Sequence, residues 1–283
     1  MKKDPEIKNL HCPECKEQTV FAGVEPKVYW CIQCGTVYTA TSETQGKFSD
    51  YNTASKQYAG GKNGAGTYQK IINKIPPHKR YIELFLGSGA ILNNKKPALE
   101  NFGIEKNKST IDKFDYYPFA FIINECAFEW IERNKNLFTK DTYVYIDPPY
   151  PMESRKAQRN IYQNELTQAD HIKLLHLVKA LPSMVAISTY KNDLYSHELN
   201  EWSLYTFDSQ TRQGSSLEHL YMNYPEPLQL HDYNFLGKDF TERQRIKRKI
   251  IREINKLKGL PLLERQAILE GIRSSIDYND YAR

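Results

Sequence analysis

The chain has 283 residues, 40% of them hydrophobic, and a formal net charge of +5. That length and apolar content suit one large α/β core with small appendages and exclude a chain too polar to fold. No apolar run is long enough to span a bilayer, and the basic start "MKKDPEIKNLHCPEC" lacks an apolar signal segment, so a cytoplasmic protein with no membrane partner is expected.

The first forty residues hold two CxxC pairs, Cys12/Cys15 and Cys31/Cys34, with fifteen residues between them. Two residues between cysteines let both thiolates face one ion, and two such knuckles make a closed tetrahedral shell of four thiolates. The intervening "KEQTVFAGVEPKVYW" carries strand-like residues broken by Gly23 and Pro26. The expectation is a structural zinc ribbon over residues 1–45, its folding energy supplied largely by the metal. With no open ligand position, zinc catalysis is not expected.

A polar linker follows, and four of the chain's 14 glycines then fall between Gly60 and Gly66. Tyr58 and Lys62 bracket the first two, so the stretch reads either as a flexible linker or as a loop that meets a ligand. "TYQKIINKI" next reads as a helix. In "RYIELFLGSGAI", Ile82, Leu84 and Leu86 alternate before Gly87-Ser88-Gly89 makes a tight turn into an apolar helix. Such turns beyond the carboxyl ends of parallel strands are where ligands bind in open α/β sheets. The pattern fits neither GxGxxG nor a P-loop. Glu105, ending the strand in "NFGIEKN", is either an exposed acid or an acid placed to hold ribose hydroxyls.

Further strands are predicted in "FAFIINECAF", "TYVYIDPPY", "SMVAISTY", "WSLYTFDS" and "LEHLYMNYP", with a helix in "LTQADHIKLLHLVKAL" opened by a Thr167/Asp170 capping pair. This alternation predicts a doubly wound, Rossmann-like, largely parallel sheet over residues 46–236. "YVYIDPPYPM" stands out, because a buried strand ends on Asp147 and runs into Pro148, Pro149 and Tyr150. Prolines cannot continue a ladder, so the acid sits at a stiff, extended turn.

Together, "QYAGGK", "ELFLGSGA" and "YIDPPY", in this order, resemble the Dam-like (D12) class of S-adenosylmethionine-dependent DNA adenine-N6 methyltransferases, including phage-encoded relatives. The resemblance covers roughly residues 55–230. It implies S-adenosylmethionine as cofactor, with Tyr58 and Lys62 beside it, Phe85, Gly87 and Gly89 lining it, Glu83 nearby and Glu105 on its ribose. It further implies that Asp147, Pro148, Pro149 and Tyr150 form the catalytic motif, Asp147 also lying close to the cofactor's methionine end. Two departures stand out. "INECAF" puts Glu125 or Cys126 where relatives often place an acid that contacts the cofactor's adenine, and Cys126 is expected to pack in a strand. Fewer than sixty residues separate Gly89 from Asp147, too few for the recognition domain the class usually carries there.

DNA is the expected partner. The loop "PMESRKAQRNIYQ" offers Arg155, Lys156 and Arg159 beside the base pocket. The segment 237–283 reads as a basic helical hairpin, with Thr241/Gln244 as a capping box and an apolar stripe of Ile246, Ile250, Ile254 and Leu257 to dock it on the core or on another protomer. From Lys238 to Lys258 nine Lys/Arg stand against three Asp/Glu, a local surplus of six, with Arg243, Arg245, Lys247, Arg248 and Lys249 available for phosphate. Relaxed or very short sequence specificity is expected. The same motif serves cytosine N4 and adenine N6 of RNA, and a nucleic-acid-binding protein with an inactive core is the rival from another class.

Overall fold

The computed structural model describes residues 60–64, 66–114, 116, 120–155, 162–211 and 214–275, together with the backbone of four short strands nearer the N-terminus. Those four are β1 (Val20–Ala22), β2 (Val28–Trp30), β3 (Thr36–Thr39) and β4 (Thr44–Lys47), an antiparallel meander in that order. The β1–β2 ribbon lies between the CxxC pairs, as the composition there implied. β4 falls in a stretch read as linker. Cys12, Cys15, Cys31 and Cys34 lie outside the described residues, and among the described residues no cluster of His, Cys, Asp or Glu could hold a metal.

The larger sheet has seven strands. In chain order these are β5 (Arg80–Leu84), β6 (Glu100–Glu105), β7 (Phe121–Asn124), β8 (Thr142–Ile146), β9 (Met184–Tyr190), β10 (Ser203–Thr211) and β11 (Gly214–Met222). In space they run β7-β6-β5-β8-β9-β11-β10. From β7 to β9 the pairing is parallel, while β11 runs antiparallel to both of its neighbours.

Period-2 alternation builds two cores, one on each face of the sheet. Ile82, Leu84, Val144, Ile146, Val185 and Ile187 point to one face. There they meet α4 (Ala127–Arg133) and α5 (Gln168–Lys179) through Phe128, Trp130, Leu174 and Val178. Tyr81, Tyr143, Tyr145 and Ala186 point to the other, against α1 (Thr67–Ile72) and α2 (Ala90–Asn94). Every residue of β8 is buried, which explains why "TYVYI" reads as a continuous apolar run rather than an amphipathic one. α3 (Lys108–Lys113) and α6 (Asp193–Glu198) complete the crossovers. The expected capping box at Thr167/Asp170 opens α5.

The chain moves outward from β5 through β6 to β7, then returns to lay β8 on the other side of β5. The carboxyl ends of β5 and β8 therefore adjoin at the point where strand order reverses, the place an open α/β sheet offers a ligand. Leu84 pairs with Ile146, so the glycine turn and Asp147 leave the sheet side by side.

Beyond the sheet come α7 (Phe240–Lys258) and α8 (Leu262–Ser275), separated at Gly259 to Pro261 as the breakers predicted. The α7 cap differs from expectation. Asp239, not Thr241, accepts the Glu242 N–H at 2.8 Å, because the helix begins at Phe240 and Thr241 already lies inside its first turn. No residue of α7 is buried, and Ile250 and Ile254 stay 48% and 44% exposed, so the stripe is not docked on the described core. No helix among the described residues is long and apolar enough to cross a membrane.

Candidate active site

The β5–α2 turn is built on left-handed backbone. Gly87 and Gly89 have φ of 53° and 64°, and Phe85, at 56°, is the single described non-glycine residue with positive φ. A bulky residue there is strained, and such strain tends to persist where surrounding structure enforces it. Phe85 is held edge-on against Phe128, ring centroids 6.2 Å apart. Glu105, buried at the end of β6, accepts from the Gly87 N–H at 2.9 Å and from the Asn107 N–H at 2.8 Å, tying the turn to the next loop.

These loops surround a cavity of about 410 Å³. Its walls include Lys62, Glu83, Phe85, Gly87, Glu105, Asp147 and Pro149 of the residues expected from the sequence. Gly89 shapes the turn without lining the cavity, and Pro148 is buried behind it. Tyr58, Lys156 and Arg159 lie outside the described residues. Glu83 accepts from the Tyr81 hydroxyl and the Leu92 N–H, each at 2.8 Å, and burial pushes its carboxyl up to about 8. Its place beneath the turn makes it a support of the floor as much as a ligand.

Asp147 meets a cation. The Lys62 Nζ stands 2.8 Å from each Asp147 carboxylate oxygen and 3.1 Å from the Gly60 carbonyl. It also lies 3.9 Å from Glu218 Oε2 and 4.9 Å from the centre of the Tyr150 ring. Burial alone would discharge this lysine, but the Asp147 and Glu218 carboxylates outweigh it and hold the ammonium above the ordinary lysine range. Burial pushes the Asp147 carboxyl up, Lys62 pulls it down and Glu218 pushes it up again. The geometry is that of an ion pair. Tyr150 presents no open face here: it is buried, edge-on to Tyr190 at 4.7 Å, and its hydroxyl donates to Glu218 at 2.7 Å.

Two expectations need correction. Cys126 does not pack in a strand, because β7 ends at Asn124; it precedes α4 without a side-chain capping bond and lines the cavity, where Glu125, ion-paired to Arg133, lies beside it. Arg155 is not an open phosphate contact. It is buried, it donates to Glu165 at 2.9 and 2.6 Å and to the Tyr150 carbonyl, and its guanidinium lies 5.1 Å from the Tyr162 ring centre. Arg243 is half-buried, its guanidinium 3.6 Å from the position a Cβ on Gly66 would take. By contrast, Arg245, Lys247, Arg248 and Lys249 are exposed on α7.

Glu218 went unread in the sequence, although a signal existed. On β11 it shares a face with Leu220 and Met222, so an acid occupies an inward position of a buried strand. Ser88, Asn107, Tyr162 and Asp170 also line the cavity; the sequence marks Ser88 only as part of a turn and Asp170 only as a helix cap.

No family model and no curated protein sequence matches the chain. Solved structures do align with it. A methyltransferase of Agrobacterium tumefaciens described as SAM-dependent matches at 14% identity and a TM-score of 0.37, over 56% of this chain and 60% of that one. The magnesium protoporphyrin IX methyltransferase of Synechocystis, solved with bound SAM, matches at 12% identity and a TM-score of 0.37, over 56% and 78%. TrmK of M. capricolum, in complex with S-adenosyl-homocysteine, matches at 12% identity and a TM-score of 0.36, over 76% and 97%. The chain thus spans about three-fifths of the length of the first of these relatives.

Proposed function

We propose that the protein transfers a methyl group from S-adenosylmethionine to the exocyclic N6 amine of an adenine in DNA. The observation that carries this reading is the meeting, on one cavity at the switch point of the sheet, of the glycine turn after β5 with Asp147 and Pro149 of the turn after β8. The residues present fit the cofactor. A cavity of about 410 Å³ lies within the roughly 300–1,000 Å³ of small-molecule sites. Its carboxylates, Glu105, Asp147, Glu125 and Asp170 among them, suit a ligand bearing a sulfonium, an ammonium and a ribose diol. Bound there, that cofactor would supply an electrophilic methyl.

The rest belongs to the chain. An adenine amine is a poor nucleophile because its lone pair is delocalised into the ring. Asp147 and the Pro148 carbonyl would accept its two hydrogens and favour a pyramidal nitrogen. The prolines hold that carbonyl stiffly, a dipole fixed before the reaction begins. Extruding the base costs a few kcal/mol, offset partly by pocket contacts. Fixed orientation then supplies much of the acceleration, and no covalent enzyme intermediate is required.

Between the glycine turn and Asp147 the described chain contains only α2, β6, α3, β7, α4, a short 3-10 turn at Lys135–Leu137 and β8, all belonging to the sheet and its crossovers. With no inserted domain among those residues, relaxed or very short sequence specificity is part of the proposal. Labelled cofactor should be incubated with duplex DNA, single-stranded DNA and RNA, and the modified nucleoside identified by mass spectrometry. N6-methyladenine in DNA is expected, with Asp147→Ala slower by about 100-fold or more. Label confined to RNA or to cytosine would overturn the substrate, full activity in the variant would overturn the role of Asp147, and a single long recognition sequence would overturn the relaxed specificity.

A further inference from the structure

Asp147 is not free to receive an amine in this structure. Lys62 donates to both of its oxygens at 2.8 Å, so a target amine would have to compete with an ammonium for them. For the carboxylate to accept substrate, the ammonium must move to another acceptor without leaving the buried pocket, since an unpaired charge there would be costly. Glu218 is that acceptor. Its carboxylate is 4% exposed, and its Oε2 lies 3.9 Å from Lys62 Nζ, about 1 Å beyond a hydrogen bond.

The same carboxylate controls a second competitor. The Tyr150 hydroxyl is within reach of both acids and has one proton to donate. It is directed to Glu218, at 2.7 Å. Ser209, on the neighbouring strand β10, steadies the other oxygen, donating to Glu218 Oε1 at 3.1 Å. A carboxylate anchored on a strand, rather than on a loop, keeps this geometry when the loops around the base move.

We propose that Glu218 is a positioning residue that takes the Tyr150 hydroxyl and, when a target amine approaches, the Lys62 ammonium, leaving the Asp147 carboxylate to the amine. The step is a change of hydrogen-bond partner; no covalent bond forms or breaks. The inference rests on the methyltransferase reading for its consequence, and on the geometry alone for the coupling of the two acids. Asp147 is faced by Lys62, Glu83, Tyr145, Tyr150 and Glu218, so only one of several charges is altered by removing Glu218.

The test has two arms on the full chain. In the first, the Asp147 carboxyl is titrated by carbon NMR in the cofactor-free protein, in wild type and in Glu218→Gln. Loss of the like charge should move the Asp147 midpoint down, and Glu218→Leu, which removes the same charge, serves as a second variant if the glutamine chain folds poorly. An unmoved midpoint would overturn the coupling. In the second arm, Glu218→Gln should lower kcat about 10- to 100-fold, the worth of one hydrogen bond to a charged group, with cofactor affinity changed less than about twofold. Placed in a Lys62→Met background the same substitution should cost much less, because the ammonium it relocates is gone. An equal loss in both backgrounds would sink the proposal. If wild type neither binds S-adenosylmethionine nor methylates any nucleic acid, the methyltransferase reading fails, and the titration still decides whether Glu218 acts on Asp147.

Discussion

A guanidinium beside a proposed base pocket has two kinds of partner, a phosphate or the protein itself, and Arg155 has taken the second. Its two terminal nitrogens donate to Glu165 and to the Tyr150 carbonyl, so it fastens both ends of the loop that leaves the Asp147-to-Tyr150 turn. Removing one side of a buried, hydrogen-bonded ion pair costs about 3–5 kcal/mol, because the charge left behind stays out of water. Arg155→Gln should therefore lower urea-unfolding stability by about 3 kcal/mol. It should also leave the salt slope of DNA binding unchanged. A slope lowered by about one unit would mean that Arg155 touches phosphate after all. Residue roles of this kind are the least legible in a sequence. "ESRK" shows a basic loop, and only the fold says that its arginine turns inward. The opposite error hid Glu218, whose inward register on β11 depends on a strand pairing that no local pattern states.

At the scale of elements much more was readable, for a physical reason. β5, β6, β8, β9 and β11 are specified by runs of buried side chains that their own sequences display. Where polar and apolar cues mixed, the reading failed. "INECAF" looked like more strand, yet the chain turns at Glu125 and starts α4. "SETQGK" looked like linker and contains β4. The α7 helix was legible as a basic amphipath but not its surroundings, since a stripe of isoleucines records a preference for burial without naming what covers it. Its exposed Arg245, Lys249, Arg252 and Lys256 follow one another at helical spacing along one side. If that side meets duplex DNA, each phosphate contact contributes about 0.9 to the slope of log affinity against log salt. Changing all four to Gln should then reduce the slope by about three to four, with helix content by circular dichroism unchanged. An unaltered slope would remove α7 from the nucleic-acid surface.

The segment after β11 packs back against the loops that precede β5 and β6, and it contributes to the response to acid. After β11 the His231 N–H bonds the Ile75 carbonyl, and its ring nitrogen Nε2 donates to the Lys96 carbonyl at 3.0 Å. Asp232 accepts from the Lys96 N–H, and the His231 ring stacks on His78 with centroids 3.9 Å apart. Burial, with the nearby Lys95 ammonium, pulls His231 down to about 3 and moves His78 well below its ordinary value. The unfolded chain takes up these protons near pH 6.5 while the folded chain refuses them, so stability is present above pH 6.5 and is lost as pH falls toward 3. Glu83 works the other way. Its folded value of about 8 makes the native state bind the extra proton, so it favours folding as pH falls from 8 to about 4.5. Comparing wild type with His231→Asn at each pH cancels that opposing contribution. The variant should be less stable at pH 7, where the stacked ring is lost, but its disadvantage should shrink by up to about 1.4 kcal/mol per pH unit below 6.5. Urea unfolding at pH 7 and pH 5 reads the difference directly. Parallel stability curves for the two proteins across that interval would show that His231 is protonated in the fold, and that the segment is held by something other than a neutral ring.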